Sequence, residues 1–146
     1  MIKEFQFYHG VVFAVLLHHC KEPFMIEPFP SEDNASYVVN DEVGVYIKYS
    51  TKRMSPWHFS FEARHKAEIR KMQTRCARLV IMLVCRDDGV VGLSYEELRS
   101  IVEMESTPTE WVSAARRPRE KYAIKGSLGK LPLKIGMADC CVKVVG

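Results

Sequence analysis

The stretch from Lys48 to Phe59 combines residue types that contact nucleic acid. It reads Lys-Tyr-Ser-Thr-Lys-Arg and, after Met54, continues as Ser-Pro-Trp-His-Phe. Cations and hydroxyls bind phosphate oxygens, and aromatic faces stack on bases. The candidate binding residues in this stretch are Lys48, Ser50, Lys52, Arg53 and Trp57. Trp57 and Phe59 could equally be core residues on one face of a strand.

The segment that follows adds more cations at helical spacing. Arg64, Lys71 and Arg75 join the candidate binding residues, and Lys66 and Arg70 contribute to the same charge. Residues 48–78 hold nine basic and two acidic residues, a net charge of +7. A solvated helix face is the alternative explanation, but this excess favours an anionic partner.

Charge alternates in blocks along the rest of the chain. Residues 1–47 and 79–115 each sum to −5, and residues 116–134 sum to +6, within an overall net charge of +3. The second basic block is a further candidate surface for an anion. The acidic blocks support an alternative, a protein–protein interaction module that mimics nucleic acid or docks a basic partner.

The remaining polar groups give no enzyme motif. Consecutive helical residues point about 100° apart, so His18, His19 and Cys20 cannot converge on one ion. Asp87 and Asp88 precede Gly89 and fit a turn better than an acid/base pair. The sequence has no nucleophile elbow and no phosphate-binding glycine loop. We therefore expect no catalytic residue, no metal and no cofactor.

The elements that position these residues alternate between helix and strand. Apolar spacing predicts a largely buried helix over about 2–20, which includes Phe5, Val12 and His19, then a short extended segment over 24–29. Strands are predicted at 35–39, 44–50 and 57–61, followed by a helix over 62–75. In the second of these strands Tyr46 and Lys48 share one face. The apolar run 79–85 is typical of a central strand buried on both faces.

The sequence of the last third of the chain predicts shorter strands and one short helix. A hairpin turn at Asp87-Asp88-Gly89 leads to a return strand over 90–93, and Ser94 and Glu97 form a capping box for a helix through about 103. Short strands are predicted at 110–114, 121–125 and 131–135. The fold class is therefore α+β or mixed α/β, with a mixed central sheet flanked by helices, in one domain over residues 1–146.

The lack of a secretory-signal pattern near Met1 and of a bilayer-length apolar run leads us to expect a cytoplasmic protein. The five cysteines are odd in number and lack a Cys-x-x-Cys spacing, which predicts free thiols. Cys20, Cys76 and Cys85 are expected to be buried, and Cys140 and Cys141 to be ordinary thiols in a reducing compartment. No apolar run approaches the ~20 residues that span a bilayer, so we expect no membrane partner.

The helix–strand–strand–strand–helix–strand order over residues 2–86 resembles the core of the restriction-endonuclease-like, or PD-(D/E)XK, nucleases. In that family, one strand supplies a metal-binding Asp and the next carries Glu-x-Lys. The matching strand here reads Tyr46-Ile47-Lys48, so the lysine is present and a tyrosine replaces the carboxylate. The strand over 35–39 contains no Asp, and Asp41 and Glu42 lie in the connecting turn. The resemblance thus implies a degenerate, non-catalytic relative, since the ion would lack its ligands.

The chain also resembles small bacterial proteins of uncharacterised function that share the Tyr-Ile-Lys-Tyr-Ser and Ser-Pro-Trp stretches. That resemblance implies a mobile-element inhibitor of a host defence complex, of the anti-CRISPR kind. We therefore expect a non-catalytic protein that binds nucleic acid or a nucleoprotein complex. A divergent metal-dependent nuclease with carboxylates such as Glu62 or Glu68 is the alternative, beside the protein–protein module.

Overall fold

The computed structural model describes residues 1–31 and 33–145. The architecture is mixed α+β, as predicted. The helices of the described part are α1 (Glu4–Cys20), α2 (Ala63–Arg75), α3 (Tyr95–Ile101) and α4 (Asp139–Val145). The strands are β1 (Ile26–Pro28), β2 (Ser36–Val39), β3 (Val43–Ser50), β4 (Trp57–Phe61), β5 (Arg78–Cys85), β6 (Gly89–Ser94), β7 (Glu110–Ala115), β8 (Ala123–Gly126) and β9 (Gly129–Lys130).

The strands form two sheets. Sheet A has the order β1-β2-β3-β5-β6, with β3 and β5 parallel and the other neighbours antiparallel. Sheet B has the order β4-β7-β8-β9 and is antiparallel throughout. The sequence did not predict that β4 leaves the first sheet and pairs with β7, because strand periodicity carries no partner information.

Sheet A lies between two layers, and successive side chains along its strands point to opposite layers. Val45 and Ile47 of β3 pack in a cluster with residues of α1 and α4. Tyr46 points the other way, into a larger cluster with residues of α2, α3 and sheet B. β5 is buried on both faces, which confirms its prediction as a central strand.

Local sequence signals account for several element boundaries. Asn40 and Asp41 adopt positive φ angles of 52° and 60° in the β2–β3 turn, a conformation that Asn and Asp tolerate best after glycine. The Ser94–Glu97 capping box is present, with Ser94 Oγ accepting from Glu97 N at 3.1 Å. The helix it starts ends at Ile101, two residues earlier than predicted.

Helix α1 is only partly buried, so the prediction of a largely buried helix is wrong. Val12 and Leu16 face sheet A, whereas Phe7 is 62% exposed, Leu17 is 50% exposed and His19 is also exposed. One stripe therefore carries the packing, and the outer surface of this helix is apolar but open.

The C-terminal region differs most from its prediction. Residues 131–135, predicted as a strand, form none: the two-residue β9 ends before them at Lys130, and Ile135 makes a single bridge to Tyr122. Helix α4 was not predicted, because Val142, Val144 and Val145 are poor helix formers. It forms because Cys140 and Val144 pack against sheet A.

The prediction of free thiols is wrong for Cys20 and Cys141, and Cys76 is less buried than predicted. Cys20 and Cys141 form a disulfide with Cα atoms 5.4 Å apart, which joins the end of α1 to α4. Cys85 and Cys140 are buried free thiols, and Cys76 is a half-buried free thiol. Across residues 1–31 and 33–145, every helix is too short or too polar to cross a membrane.

Candidate functional site

A cleft runs along α2, and we call it the α2 cleft. Two adjoining cavities of ≈730 and ≈460 Å³ form it, and both are lined by Asp33, Asn34 and Arg64. Glu68 and Lys71 line the first cavity; Tyr46, Lys48, Glu62 and His65 line the second. The cleft lies where the segment before β2, the face of β3 and the first turns of α2 meet.

Lys48 reaches the second cavity from β3. Its Nζ lies 3.3 Å from Nδ1 of His65 and 5.3 Å from the centre of the Phe61 ring. Burial lowers the pKa of Lys48 to about 8, and the neighbouring Glu62 carboxylate only partly offsets this. Burial and the nearby Lys48 and Arg64 charges also lower the pKa of His65 below 6.5. Near pH 7 the pair is therefore a charged amine beside a neutral imidazole.

The carboxylates of the cleft are held by neutral or basic donors. Tyr46 donates its hydroxyl to Asp33 at 3.3 Å, and Ser36 donates to Glu68 at 2.8 Å. Glu62 pairs with Arg64 at 3.4 Å. Asp33, Glu62 and Glu68 balance Lys48, Arg64 and Lys71 in formal charge, so the lining does not form a strongly basic groove.

Asp33 lines both cavities of the cleft and was not predicted as a site residue. The nuclease pattern places its carboxylates on strands, whereas Asp33 lies three residues before β2, so the strand pattern does not point to it. Its side chain also accepts from Ala35 N at 2.9 Å, which directs the chain into the strand. Among the described residues, no group of three or more His, Cys, Asp or Glu side chains is arranged to hold a metal ion.

The predicted binding residues separate into two groups. Lys48, Arg64 and Lys71 line the α2 cleft, and Arg75 lies one turn beyond Lys71 on the same helix. Both Lys71 and Arg75 approach the ring of Phe29, at 5.8 and 6.0 Å. The second group contains Ser50, Lys52 and Arg53, at the end of β3 and in the loop that follows it.

Trp57 is a core residue, which was the alternative to a role in binding. It is 3% exposed, and its Nε1 donates to Lys52 O at 2.9 Å. Its ring lies 6.2 Å from that of Tyr122 inside the larger cluster. Trp57 therefore offers no free face for stacking on a base.

Lys66 and Arg70 do not belong to a basic surface, contrary to prediction. Lys66 is 0% exposed, and its Nζ donates to Glu103 O, Ser106 Oγ and Pro108 O at 3.1, 3.2 and 2.7 Å. Arg70 donates to Met104 O. Both side chains secure the segment after α3, so much of the charge in residues 48–78 serves the fold.

Three segments that carry exposed cations approach one another near the carboxyl end of β3. The exposed members are Lys52 and Arg53 of the β3–β4 loop, Arg86 of the β5–β6 turn, and Arg117 and Arg119 after β7, and we call this set the basic edge. Arg86 N donates to Ser50 O at 3.1 Å, and Arg86 Nη1 donates to Thr51 O at 3.2 Å. Arg116 N donates to Ser55 Oγ at 3.1 Å, which brings the segment after β7 to the same loop.

The turn acids beside the basic edge are partly neutralised. Asp88 receives two hydrogen bonds from Arg116, at 2.6 and 3.1 Å, and one from the Tyr122 hydroxyl at 2.5 Å. Burial alone would raise the pKa of Asp88, but these donors outweigh it and hold the pKa below its ordinary value. Asp87 and Asp88 lie in the hairpin turn, as predicted, and Asp88 anchors Arg116 in place.

Comparison of the chain with family models, with curated proteins and with solved structures finds no match.

Proposed function

We propose that the protein binds nucleic acid, alone or within a nucleoprotein complex, through the basic edge, and that it acts by binding rather than by catalysis. The observation that carries the proposal is the convergence of the three segments that bear the exposed residues Lys52, Arg53, Arg86, Arg117 and Arg119. Each of these cations is exposed, and none forms an ion pair with another described residue.

Clustered unpaired cations repel one another, so their assembly costs stability unless an anion binds there. A phosphate backbone supplies a row of such charges and releases its counterions on binding. Arginine adds planar donors that match phosphate oxygens in pairs. The basic edge therefore suits phosphates better than the charge-balanced α2 cleft does.

Charge reversal at two sites tests this assignment. Fluorescence anisotropy with a labelled duplex and a labelled single strand, at about 50 mM salt, should show binding by the wild type. Lys52→Glu/Arg53→Glu should weaken it at least about tenfold, since two phosphate contacts become repulsive. The matched control, Lys71→Glu/Arg75→Glu on α2, carries the same change of charge and should weaken it less than threefold. Equal losses in both variants, or no binding to either probe, would reject the basic edge.

A nucleoprotein partner is a narrower form of the same proposal. An inhibitor of a host defence complex would bind the nucleic acid that the complex carries. Pull-down from native cells by the wild type, with the Lys52→Glu/Arg53→Glu variant as the comparison, tests it. A complex recovered equally by both proteins would show that the basic edge is not its docking site.

A second candidate function is a divergent metal-dependent nuclease in the α2 cleft, in keeping with the proposed restriction-endonuclease-like resemblance. The observation that favours it is the presence of Asp33 and Glu62 in the same cavity as Lys48, with Glu68 in the adjoining cavity, although the described residues form no group of three ligands that could hold a metal ion. Incubation with plasmid DNA and Mg²⁺ or Mn²⁺ tests it. Cleavage that Lys48→Ala and Asp33→Asn each abolish would establish this function; cleavage unchanged by both would point to contamination.

We also propose a cytoplasmic location, where nucleic acid and nucleoproteins are accessible. The Cys20–Cys141 disulfide is the feature that bears against it, because disulfides are rare in a reducing compartment.

A further inference from the structure

Sheet B has one open face. His58 and Ser60 of β4, Trp111 of β7 and Lys125 of β8 are exposed, while the alternate residues of these strands are buried in the larger cluster. Ser60 pairs with Trp111, His58 with Ser113, and Ser113 with Lys125. These side chains therefore lie side by side on one surface of the sheet, on which Ser113 itself is buried and its neighbours are exposed.

A groove of ≈320 Å³ crosses this face. Small and apolar residues line it beside Lys125, Lys130 and Lys134, and Trp111 lies outside it. Lys134 also pairs with Glu120 at 3.8 Å, so a phosphate would have to compete with that carboxylate. Lys125 and Lys130 are directly opposite each other on β8 and β9. Two like charges at such a cross-strand pair are destabilising, and a bound anion would relieve the repulsion.

Trp111 is the aromatic residue of the open face. It is 41% exposed, whereas Trp57, the other tryptophan of the chain, is 3% exposed. An exposed tryptophan on a flat sheet beside lysines is a platform on which a base can stack, since every base has a π face. The imidazole of His58 lies two strand positions from Ser60, the partner of Trp111, and adds a second ring on the same surface.

The open face adjoins the basic edge. β4 begins at Trp57, directly after the loop that carries Lys52 and Arg53, and β7 ends at Ala115, directly before Arg116. A strand of nucleic acid can therefore pass from the basic edge onto the face. Trp111 lies near the opposite end of β7 from Arg116, so such a strand would cross the face to reach it.

We propose that the open face of sheet B binds single-stranded nucleic acid, with a base stacked on Trp111 and phosphates held by Lys125, Lys130 and Lys134. This inference rests on the proposed function for its class of ligand, but it uses different residues. A duplex hides the faces of its bases, so it engages the basic edge and leaves Trp111 unused. An acidic peptide would satisfy the lysines but would not require an aromatic ring.

Tryptophan fluorescence tests the proposal directly. Titration with a 12-nucleotide oligothymidylate should quench the emission of the wild type, and a 12-base-pair duplex should not. Because Trp57 is buried, the quenching should disappear in Trp111→Phe. Anisotropy of a labelled oligothymidylate should show that Trp111→Phe, which retains a ring, binds within about threefold of the wild type. Trp111→Ala should bind at least about fivefold more weakly.

Charge variants complete the test. Lys125→Glu/Lys130→Glu should weaken oligothymidylate binding at least about tenfold, and Lys3→Glu before α1 should leave it unchanged. The emission of Trp57 in Trp111→Ala reports whether that variant is folded. Polyglutamate that displaces the probe, together with equal affinities of wild type and Trp111→Ala, would identify an acidic-peptide site and overturn the proposal.

Two further outcomes separate this inference from the function on which it rests. Duplex binding that depends on Lys52 and Arg53, without any quenching by oligothymidylate, would reject the open face and retain the basic edge. Absence of binding by both probes would reject both.

Discussion

At the scale of single residues, Lys66 is a charged side chain that is buried and hydrogen-bonded inside the protein. The sequence predicted that Lys66 lies on a basic helix together with Arg64 and Lys71. Helical spacing does not show which side of the helix another segment covers, so the burial of Lys66 could not be predicted. The structure buries its ammonium against two carbonyl oxygens and one hydroxyl. Arg64 and Lys71, which were predicted in the same way, do lie at a cleft.

Lys66→Met should lower the free energy of unfolding by about 2–3 kcal/mol, because it leaves buried carbonyl groups without their donor. Urea denaturation measures this, with Lys71→Met as the control. The control changes an exposed position of the same helix and should stay within about 0.5 kcal/mol of the wild type. Equal stability of the two variants would show that the Lys66 contacts do not stabilise the fold.

The lowered pKa of Lys48 predicts how the free energy of unfolding depends on pH. Its pKa is about 8 in the folded protein and 10.5 as the ordinary value. Between these values the unfolded chain binds more protons than the folded one, so stability from this group rises with pH and is lowest below pH 8. Relative to Lys48→Met, the wild type should gain roughly 1–2 kcal/mol between pH 7 and 9.5. Urea titrations at both pH values measure the difference. Parallel pH profiles of the two proteins would contradict the buried position of Lys48.

At the scale of elements, residue patterns predicted most strands and helices. The alternation of Val45, Tyr46 and Ile47 predicted the two faces of β3, and the capping box at Ser94 predicted the start of α3. Patterns failed where packing decides the outcome, as in α4, whose three valines favour strand but whose Cys140 and Val144 complete a core. They also failed at residues 131–135, which form no strand and make a single bridge from Ile135 to Tyr122.

The substitution of glycine by alanine should have opposite effects at Gly126 and at Gly10. A Cβ at Gly126 would lie 2.5 Å from Ile101 O and 3.0 Å from Trp111 O, because β8 crosses the end of α3 closely. Gly126→Ala should therefore destabilise the protein by about 1–3 kcal/mol. A Cβ at Gly10 meets nothing within 4 Å, so Gly10→Ala on α1 should stabilise by up to about 1 kcal/mol. Thermal denaturation measures both, and effects of equal sign would contradict the packing of β8 on α3.

At the scale of the whole molecule, the sequence predicted the α+β class and the mixed sheet but not the second sheet or the disulfide. Both depend on contacts between segments far apart in the chain, such as β4 with β7 and Cys20 with Cys141. The basic edge is a feature of the same kind. Lys52 and Arg53 were predicted, but Arg86 belongs to an acidic block by composition and joins them only through the fold.

The Cys20–Cys141 disulfide predicts a thiol count. Protein prepared without reductant and unfolded in guanidinium should show three reactive thiols, from Cys76, Cys85 and Cys140, and five after reduction. Cys141→Ser should lower the free energy of unfolding by about 2–4 kcal/mol, because the bond closes a long loop. Five thiols in protein taken directly from cells would indicate that the bond is open there and would agree with the proposed cytoplasmic location.

The salt dependence of nucleic-acid binding tests the central claim most directly. Each phosphate neutralised contributes about −0.9 to the slope of log K against log salt concentration, so the five cations of the basic edge should give about −3 to −5. The slope should become shallower by roughly 2 in Lys52→Glu/Arg53→Glu, because two contacts are lost. A slope near zero, or the same slope in this variant as in the wild type, would contradict nucleic-acid binding at the basic edge.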